Sequence, residues 1–547
     1  MQTYSKGGFL PQHGVVKHNI ISLFPVRRNV CSAAPFFAGI VRKSAKRSPE
    51  NRAKKSAKKY LQSLAFAFCL VYTIPRKNKK RNFFGHMRSL YPQDPHFTPL
   101  VTDINAPAAQ WGEFSAHDPS LIEEGGVFYA FSTGNRGENN YQIRRSADLI
   151  HWEYVGQPFP QGIPAEATRE LEAAYGAAPR NFTLWAPDVV RGADGRFWLY
   201  GCYTAVFGDN YSVIFLARAE EVCGPYEYAA TLVVSGGRWG RTPNAIDPQI
   251  FYDGDRMYMT YGSFFGGIRI LELDPATGLR KDGRQGAALR RGTDAARYGK
   301  CVLYTENAEG SVVHVARSLP LWLPFGEGSP SYADRFILMA SCDNLAKDYS
   351  MREWSSDKPD RGYEVPSVKL SSSCTWRRER EKGPDFFAPG HNDIFTSSDG
   401  RMFVACHNRI RYGDARRHYL LVMLAAFNGA GQLVFSFNRY AGERLRKISR
   451  GELVGDFSYI PLDAEGGKLV HARGGMSFAE DGSVLLNGER AGRWGLYGDY
   501  FVDFTLGSEL YRGAAMPAWL EREGCGGITI SAIGAGGYPV YLNGVRG

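Results

Sequence analysis

The chain has 547 residues, 44% of them apolar and 13% aromatic, which excludes a disordered or fibrous polymer and allows two to four domains with ample core. Its formal charge of +11 is misleading, because residues 1–86 hold 18 Lys and Arg against a single acid, Glu50. The rest of the chain has 48 basic against 54 acidic residues, so the folded part is mildly acidic and the high isoelectric point belongs to the tail.

The tail groups its charge as Arg42-Lys43, Lys46-Arg47, Arg52, Lys54-Lys55 and Lys58-Lys59, then an apolar run from Leu61 to Ile74, then Arg76-Lys77 and Lys79-Lys80-Arg81. At about 14 residues, with Gln62 and Ser63 inside, the run is short of the ~18 to 20 that a membrane helix needs. A signal peptide would place a small-residue cleavage site after the apolar stretch. Here Pro75 and five more cations follow, and the basic region before it is far too long. The Lys/Arg run also lacks the interleaved aromatics of a nucleic-acid-binding segment. Residues 1–94 therefore read as a disordered or non-native extension, with Met87 as a candidate natural start and a membrane-associating anchor as the alternative. No nucleic-acid partner is expected, and no membrane apart from such an anchor.

Residues 95–450 are strand-dense, and five hairpins recur in them. Asp118-Pro119-Ser120-Leu121-Ile122 passes through Gly125-Gly126 into Val127-Phe128-Tyr129-Ala130-Phe131: an acid, a proline, a short apolar strand, a Gly turn and a second apolar strand. Ala186-Pro187-Asp188-Val189-Val190 does the same through Asp194-Gly195 into Phe197-Trp198-Leu199-Tyr200, and Asp247-Pro248-Gln249-Ile250-Phe251 through Asp253-Gly254 into Tyr258-Met259-Thr260-Tyr261. Two later copies are looser. Ala308-Glu309-Gly310-Ser311-Val312-Val313 meets Arg335-Phe336-Ile337-Leu338 only after a long turn, and Gly390-His391-Asn392-Asp393-Ile394-Phe395 turns at Gly400 into Met402-Phe403-Val404-Ala405.

Repeats that start roughly 60 to 80 residues apart signal a propeller or solenoid, and a four-stranded blade needs only about 40 to 50 of those residues, the surplus going to loops. The expected fold is all-β, a five-bladed β-propeller over residues 95–450 with the first residue of each inner strand facing the central axis. Glu166 to Ala177 is a possible short helix or loop. The polar segments Lys281 to Lys300 and Ser355 to Lys382 read as surface insertions. Beyond Leu453, Gly-rich short strands such as Ser483-Val484-Leu485-Leu486 and Phe501-Val502-Asp503-Phe504 predict a separate small β-sandwich or barrel over residues 451–547.

Nine cysteines, an odd number with no CxxC pair, give neither a disulfide framework nor a zinc site. Reduced thiols in a cytoplasmic protein are the simplest account, with a secreted or membrane-anchored protein as the alternative.

Eight motifs occur together and in order: His117-Asp118-Pro119, Trp185-Ala186-Pro187-Asp188, Asn244-Ala245-Ile246-Asp247-Pro248, Tyr261-Gly262-Ser263-Phe264, Ala308-Glu309-Gly310, Asp348-Tyr349-Ser350-Met351-Arg352, Ala388-Pro389-Gly390-His391-Asn392 and Arg439-Tyr440-Ala441-Gly442-Glu443. The set resembles glycoside hydrolase family 43, in particular the extended endo-α-1,5-L-arabinanases with an extra C-terminal β-domain, and it covers about residues 110–547. The resemblance implies inverting hydrolysis of α-1,5-L-arabinofuranosidic bonds in plant-type arabinan or arabino-oligosaccharides. A monomer without an organic cofactor is expected. An exo-acting α-L-arabinofuranosidase or β-xylosidase on the same fold, or a carbohydrate-binding propeller without catalysis, are the alternatives. The chain departs from the family where Ser311 replaces the usual proline after Glu-Gly, and where Leu319-Pro320-Leu321-Trp322-Leu323-Pro324 is inserted. Both are expected to alter loop geometry and hence substrate length.

The residues also carry the chemistry by themselves. Glycoside hydrolysis takes two carboxyl groups, one protonated to help the leaving oxygen and one ionised to activate water or attack carbon. Asp118 is the candidate general base, the bland reading being a turn-capping aspartate before Pro119. Glu309, between the small residues Ala308 and Gly310, is the candidate general acid, with Glu306 as its competitor. Asp247 is the third carboxylate, expected to raise the acid's pKa by like-charge repulsion. The resemblance adds substrate orientation by Asp247 and, for an inverting pair, carboxyls about 6.5 to 9.5 Å apart.

Trp185 is placed either to stack on a sugar ring or to fill space between blades. Asp188 is either a substrate contact or a structural hydrogen-bonder near the axis. The resemblance further implies substrate contacts from Asn244, Ala245, Ile246 and Ser263. It also matches His391 to a histidine that faces a cation, usually calcium, on the propeller axis; a hydrogen-bonded core histidine is the alternative. Because calcium prefers oxygen ligands, one imidazole plus waters would make a modest site whose role is electrostatic support of the acids.

Overall fold

The computed structural model describes residues 95–545, apart from 96, 98–99, 102, 104, 135–139, 176–182, 205–207, 237–241, 306, 364–367, 378–385, 410–416 and 463–468. The basic tail, its apolar run and Met87 lie outside the described residues. Among the described residues no helix is long and apolar enough to cross a membrane.

Five four-stranded antiparallel sheets follow one another as meanders. Their inner strands are His117–Glu124, Thr183–Arg191, Gln249–Asp253, Ala308–Leu321 and Gly390–Thr396, each followed by its three partners in chain order. These are the five hairpins read from the sequence, and each pair of neighbouring sheets shares an apolar core. Phe131, Tyr141 and Ile143 of the first blade pack with Leu199 and Phe215 of the second, and Phe251 and Tyr258 of the third with Phe336 and Leu338 of the fourth. The ring is closed by residues 113–115. Phe114 bridges Tyr419, the Ser115 N–H donates to the His418 carbonyl at 2.8 Å, and the Leu420 N–H donates to that of Glu113 at 2.8 Å. The segment entering blade one is thereby stitched to blade five.

The inner strands share one irregularity. Asp118, Ala186, Asp247, Gly310 and His391 have φ of 54°, 36°, 58°, 56° and 48°. In blades one, two, four and five the strand register slips at this point. Non-glycine residues in such a conformation cost of order 1–3 kcal/mol each and persist only where the surroundings impose them. Pro119, Pro187 and Pro248 follow directly, where a residue without an N–H loses nothing because the ladder is already interrupted. At Asp118-Pro119 and Ala186-Pro187 the proline therefore marks a β-bulge, whereas Asp247-Pro248 lies just before the strand Gln249–Asp253, whose ladder shows no slip.

One of the two expectations about the connections needs correction. The segment from Lys281 to Lys300 is the expected surface insertion, anchored by a 3-10 turn at Gly286–Arg290 and a helix at Asp294–Tyr298 that bury Leu289 and Tyr298. In the segment from Ser355 to Lys382, Val368–Lys369 forms the fourth strand of blade four, and Leu370, Cys374 and Trp376 are buried. Its serines disguised this, because they bond to backbone in the interior: Ser371 Oγ accepts from the Met351 N–H at 2.9 Å and Ser373 Oγ from the Ala388 N–H at 2.8 Å. The helix near 166–177 forms as Ala165–Tyr175.

The C-terminal strands from Gly455–Pro461 to Pro539–Val545 close into an eight-stranded barrel filled by Phe457, Phe478, Trp494, Phe504, Ile530 and Leu542. Its outer wall packs on the propeller, where the Phe437 and Tyr541 rings stack at 4.3 Å and Thr529 Oγ1 donates to the Ser436 carbonyl at 3.1 Å. The inserted Leu319 to Pro324 stretch also belongs to this junction. Trp322 packs edge-on against Tyr497, and Arg512 donates to the carbonyls of Trp322 at 3.0 Å and Leu323 at 3.2 Å. It lies at the far end of the blade-four hairpin, roughly 40 Å of strand from Glu309. The insertion grips the barrel and does not reshape the loops around the acid.

Candidate active site

The starts of the five inner strands converge on a pocket on the propeller axis, with Asp118, Asp188, Asp247, Gly310, His391 and Asn392 in its wall. Side chains far apart in sequence meet there because each blade contributes the same strand position.

Asp118 is buried and surrounded by donors. Its Oδ2 stands 2.9 Å from His117 Nδ1 and accepts from Thr133 Oγ1 at 2.7 Å, while its Oδ1 stands 3.1 Å from His391 Nδ1 and 3.4 Å from His407 Nδ1. The His117 ring stacks on His407 at 4.1 Å, and Arg409 Nη2 lies 3.3 Å from His117 Nε2. Burial alone would raise the Asp118 pKa, but the charges of His117 and His391 and the histidine hydrogen bonds outweigh it and hold the carboxyl well below the usual range. Asp118 is an ionised carboxylate, as a base must be.

Glu309 has the opposite setting. Tyr349 donates to its Oε1 at 2.6 Å, Ser263 Oγ lies 2.9 Å from its Oε2, and part of its surface stays open to solvent. Burial raises its pKa against the hydrogen bonds and the His391 charge, with the Asp118 charge adding to the rise. Asp247 accepts the Gly310 N–H at 3.0 Å. Burial first, then the charges of Glu309 and Asp118, push its carboxyl up to about 7 against the pull of His391. Desolvation is the larger cause of both upward shifts, ahead of the expected like-charge repulsion.

The structure brings Asp118, Asp247, Ser263, Glu309 and His391 together. Asp188 lies in the wall of the same cavity, where its Oδ1 accepts from Ser120 Oγ at 2.8 Å and its Oδ2 from the Ile250 N–H at 2.7 Å, joining blades one, two and three. Burial raises its pKa to about 6. Asn244 is buried: its Oδ1 accepts from Ser212 Oγ at 2.7 Å and its Nδ2 donates to the Asp209 carbonyl at 3.2 Å. Ala245 and Ile246 are buried in the core between blades two and three, and Trp185 is packed against that core. Glu306 lies outside the described residues. Sequence reasoning assigned no role to Tyr349, although it quoted its motif, nor to His407, Arg409 and Thr133, which nothing local marks.

A hydrated cation fits this cavity. The amide oxygen and nitrogen of Asn392 and the hydroxyl of Ser311 are buried in its wall with no hydrogen-bond partner among the described residues. Orphaned polar groups in an oxygen-rich space are what coordinated waters satisfy. His391 is the side chain placed to ligate, and the ligand atoms of His117, Asp118 and His407 also lie within 4.8 Å of one another.

A propeller that carries near its axis one carboxyl held well below the usual range and another raised above it has the acid and base pair of a glycoside hydrolase. The family model described as glycosyl hydrolases family 43 matches residues 112–423, and that of a C-terminal lipocalin-like domain matches residues 437–542. The chain belongs to glycosyl hydrolases family 43. It is 29% identical over 477 residues to the extracellular endo-alpha-(1->5)-L-arabinanase 2 of Bacillus subtilis, a match covering 81% of this chain and 95% of the relative. The corresponding figures for the extracellular endo-alpha-(1->5)-L-arabinanase of Thermotoga petrophila are 27% over 460 residues, 76% and 90%. The crystal structure of an endo-1,5-alpha-L-arabinanase from Thermotoga petrophila superposes with a TM-score of 0.64 at 26% identity, covering 81% of this chain and 100% of that one.

These relatives overturn the cytoplasmic location inferred from the cysteines, since both curated proteins are extracellular by name. The physical reason is visible in the thiols. Cys202, Cys342, Cys374 and Cys406 are buried, and burial pushes the Cys342 thiol up to about 12. Such thiols stay protonated and inert in any compartment, so their being unpaired does not report a reducing one.

Proposed function

We propose that the protein is an inverting endo-α-1,5-L-arabinanase acting outside the cell on arabinan and arabino-oligosaccharides. The observation that carries the reading is the contrast between two carboxyls on the inner strands of blades one and four: histidines hold Asp118 well below the usual carboxylate range, while burial raises the Glu309 pKa. In the reaction Asp118 takes a proton from water as the water oxygen bonds to the anomeric carbon. Glu309 gives its proton to the glycosidic oxygen, and that C–O bond breaks with its electron pair on the oxygen. Asp247 orients the sugar and, by accepting the Gly310 N–H, holds the strand that carries the acid. A calcium-like cation, held by His391 through one imidazole nitrogen and otherwise by water, would supply positive charge that steadies the carboxylates.

Product analysis on debranched arabinan, for wild type beside Glu309→Gln, tests this. A ladder of oligosaccharides is expected from wild type, with a loss of about 10²- to 10⁴-fold in the variant. Free arabinose as the first product would make the enzyme exo-acting. Retention of the polymer without cleavage would leave a sugar-binding propeller.

A further inference from the structure

Tyr349 immediately precedes the third strand of blade four, and its side chain is fully buried. One face of its ring lies parallel to His407, with centroids 5.6 Å apart and planes at 6°. Gly390 makes room for it: a Cβ built at that position would stand 2.3 Å from both Cδ1 and Cε1 of the tyrosine ring. No other residue fits there without moving the ring, so the glycine before His391 is required by Tyr349. Held this way, the phenol has a fixed direction, and its oxygen meets Glu309 Oε1 at 2.6 Å.

We propose that Tyr349 is a positioning residue of the general acid, fixing which oxygen of the Glu309 carboxyl carries the transferred proton. The inference rests on the function proposed above. A phenol has one hydrogen to donate, and among the described residues its only acceptor is Oε1. Oε1 is therefore the carbonyl oxygen of the neutral carboxyl, and the proton resides on Oε2. Ser263 Oγ, 2.9 Å from Oε2, is a rotor that accepts from Oε2–H before transfer and donates to Oε2 afterwards. During transfer the Oε2 proton passes to the glycosidic oxygen, the C–O bond to the leaving sugar breaks with its electron pair on that oxygen, and Glu309 ends as a carboxylate with a donor on each oxygen. Because charge builds on Glu309 only as the proton leaves, the Tyr349 hydrogen bond strengthens in the transition state and acts on kcat.

The test uses the full chain, debranched arabinan, and aryl α-1,5-arabinotriosides with an acidic dinitrophenol or a weakly acidic phenol as leaving group. Tyr349→Phe is expected to lower kcat on arabinan and on the phenyl glycoside by about 10- to 100-fold, with KM unchanged. It should leave the dinitrophenyl glycoside almost unaffected, because that leaving group needs no proton. Gly390→Ala should give the same selective loss by displacing the ring with the hydroxyl still present. If Gly390→Ala does not fold, Tyr349→Phe, which removes a single oxygen, decides alone. Equal loss on both aryl glycosides, or no loss on arabinan, overturns the proposal. Failure of the wild type to cleave any of these substrates overturns the assigned function instead.

Discussion

The backbone N–H of Gly310 donates to Asp247 Oδ2 at 3.0 Å, so the strand that carries the acid Glu309 is tied to the third carboxylate of the site. The contact gives Asp247 two effects, one on loop position and one on charge. Asp247→Asn keeps the shape and an acceptor for Gly310 but removes the charge that competes with Glu309 for protons. Without that neighbour Glu309 should ionise at lower pH, and the alkaline limb of the kcat/KM profile should move down. The limb is read from rates on arabino-oligosaccharides across pH. A limb that stays in place would leave Asp247 with a purely orienting role.

The proposed axial cation is tested by removal. His391 Nδ1 is engaged with Asp118 at 3.1 Å, which directs Nε2 to any metal. Treatment with a chelator should lower the thermal midpoint, and added calcium should restore it, a bound ion at 100 times its Kd contributing about 2.7 kcal/mol. His391→Ala should abolish the response to calcium. A wild-type midpoint indifferent to chelator would remove the cation from the account.

What could be read from the sequence follows from how local each feature is. Asp118-Pro119, Asp188 after Pro187, and Asp247-Pro248 announce their blades because an acid or proline at the start of an inner strand is a local feature. Tyr349 and His407 were not legible, since their roles depend on ring stacking between strands of different blades. Asn244, Ala245 and Ile246 stand beside Asp247 in sequence, but their side chains are buried: Ala245 and Ile246 lie in the core between blades two and three, and Asn244 bonds to Ser212 and to the Asp209 carbonyl. The Leu319 to Pro324 insertion could be seen but not placed, since its partners Tyr497 and Arg512 belong to the barrel.

Glu353 supplies a test by pH. It is buried in the third strand of blade four, where its Oε2 accepts the Leu433 N–H of blade five at 3.0 Å, and burial pushes its pKa up to about 8. Between the ordinary carboxyl value and about 8 the folded chain binds the extra proton, so this group's contribution to stability is largest at acid pH and falls as pH rises through that window. Glu353→Gln cannot ionise and should not show the fall. Urea midpoints of the two proteins at acid and mildly alkaline pH should therefore diverge, with the variant gaining about 1–3 kcal/mol relative to wild type. Parallel midpoints across the range would mean that Glu353 is ionised in the fold.

The barrel should not be separable from the propeller, and Asp503 is where that is most exposed to test. Its fully buried carboxylate accepts from the Phe325 N–H at 2.8 Å, the Tyr497 hydroxyl at 2.9 Å and Arg512 Nε at 3.1 Å, while Arg512 holds the carbonyls of Trp322 and Leu323. One charge in the barrel wall thus secures the arm that blade four sends across. Asp503→Ala leaves Arg512 without its carboxylate and the Phe325 N–H without an acceptor, a loss of about 3–5 kcal/mol for a broken buried pair. Calorimetry of the wild type should show one transition, because the arm and the Phe437–Tyr541 contact couple the two folds. In the variant the arm is released while the Phe437–Tyr541 contact remains, so a single transition should persist at a lower midpoint. Two steps in the wild type would mean that the arm lies against the barrel without coupling it to the propeller.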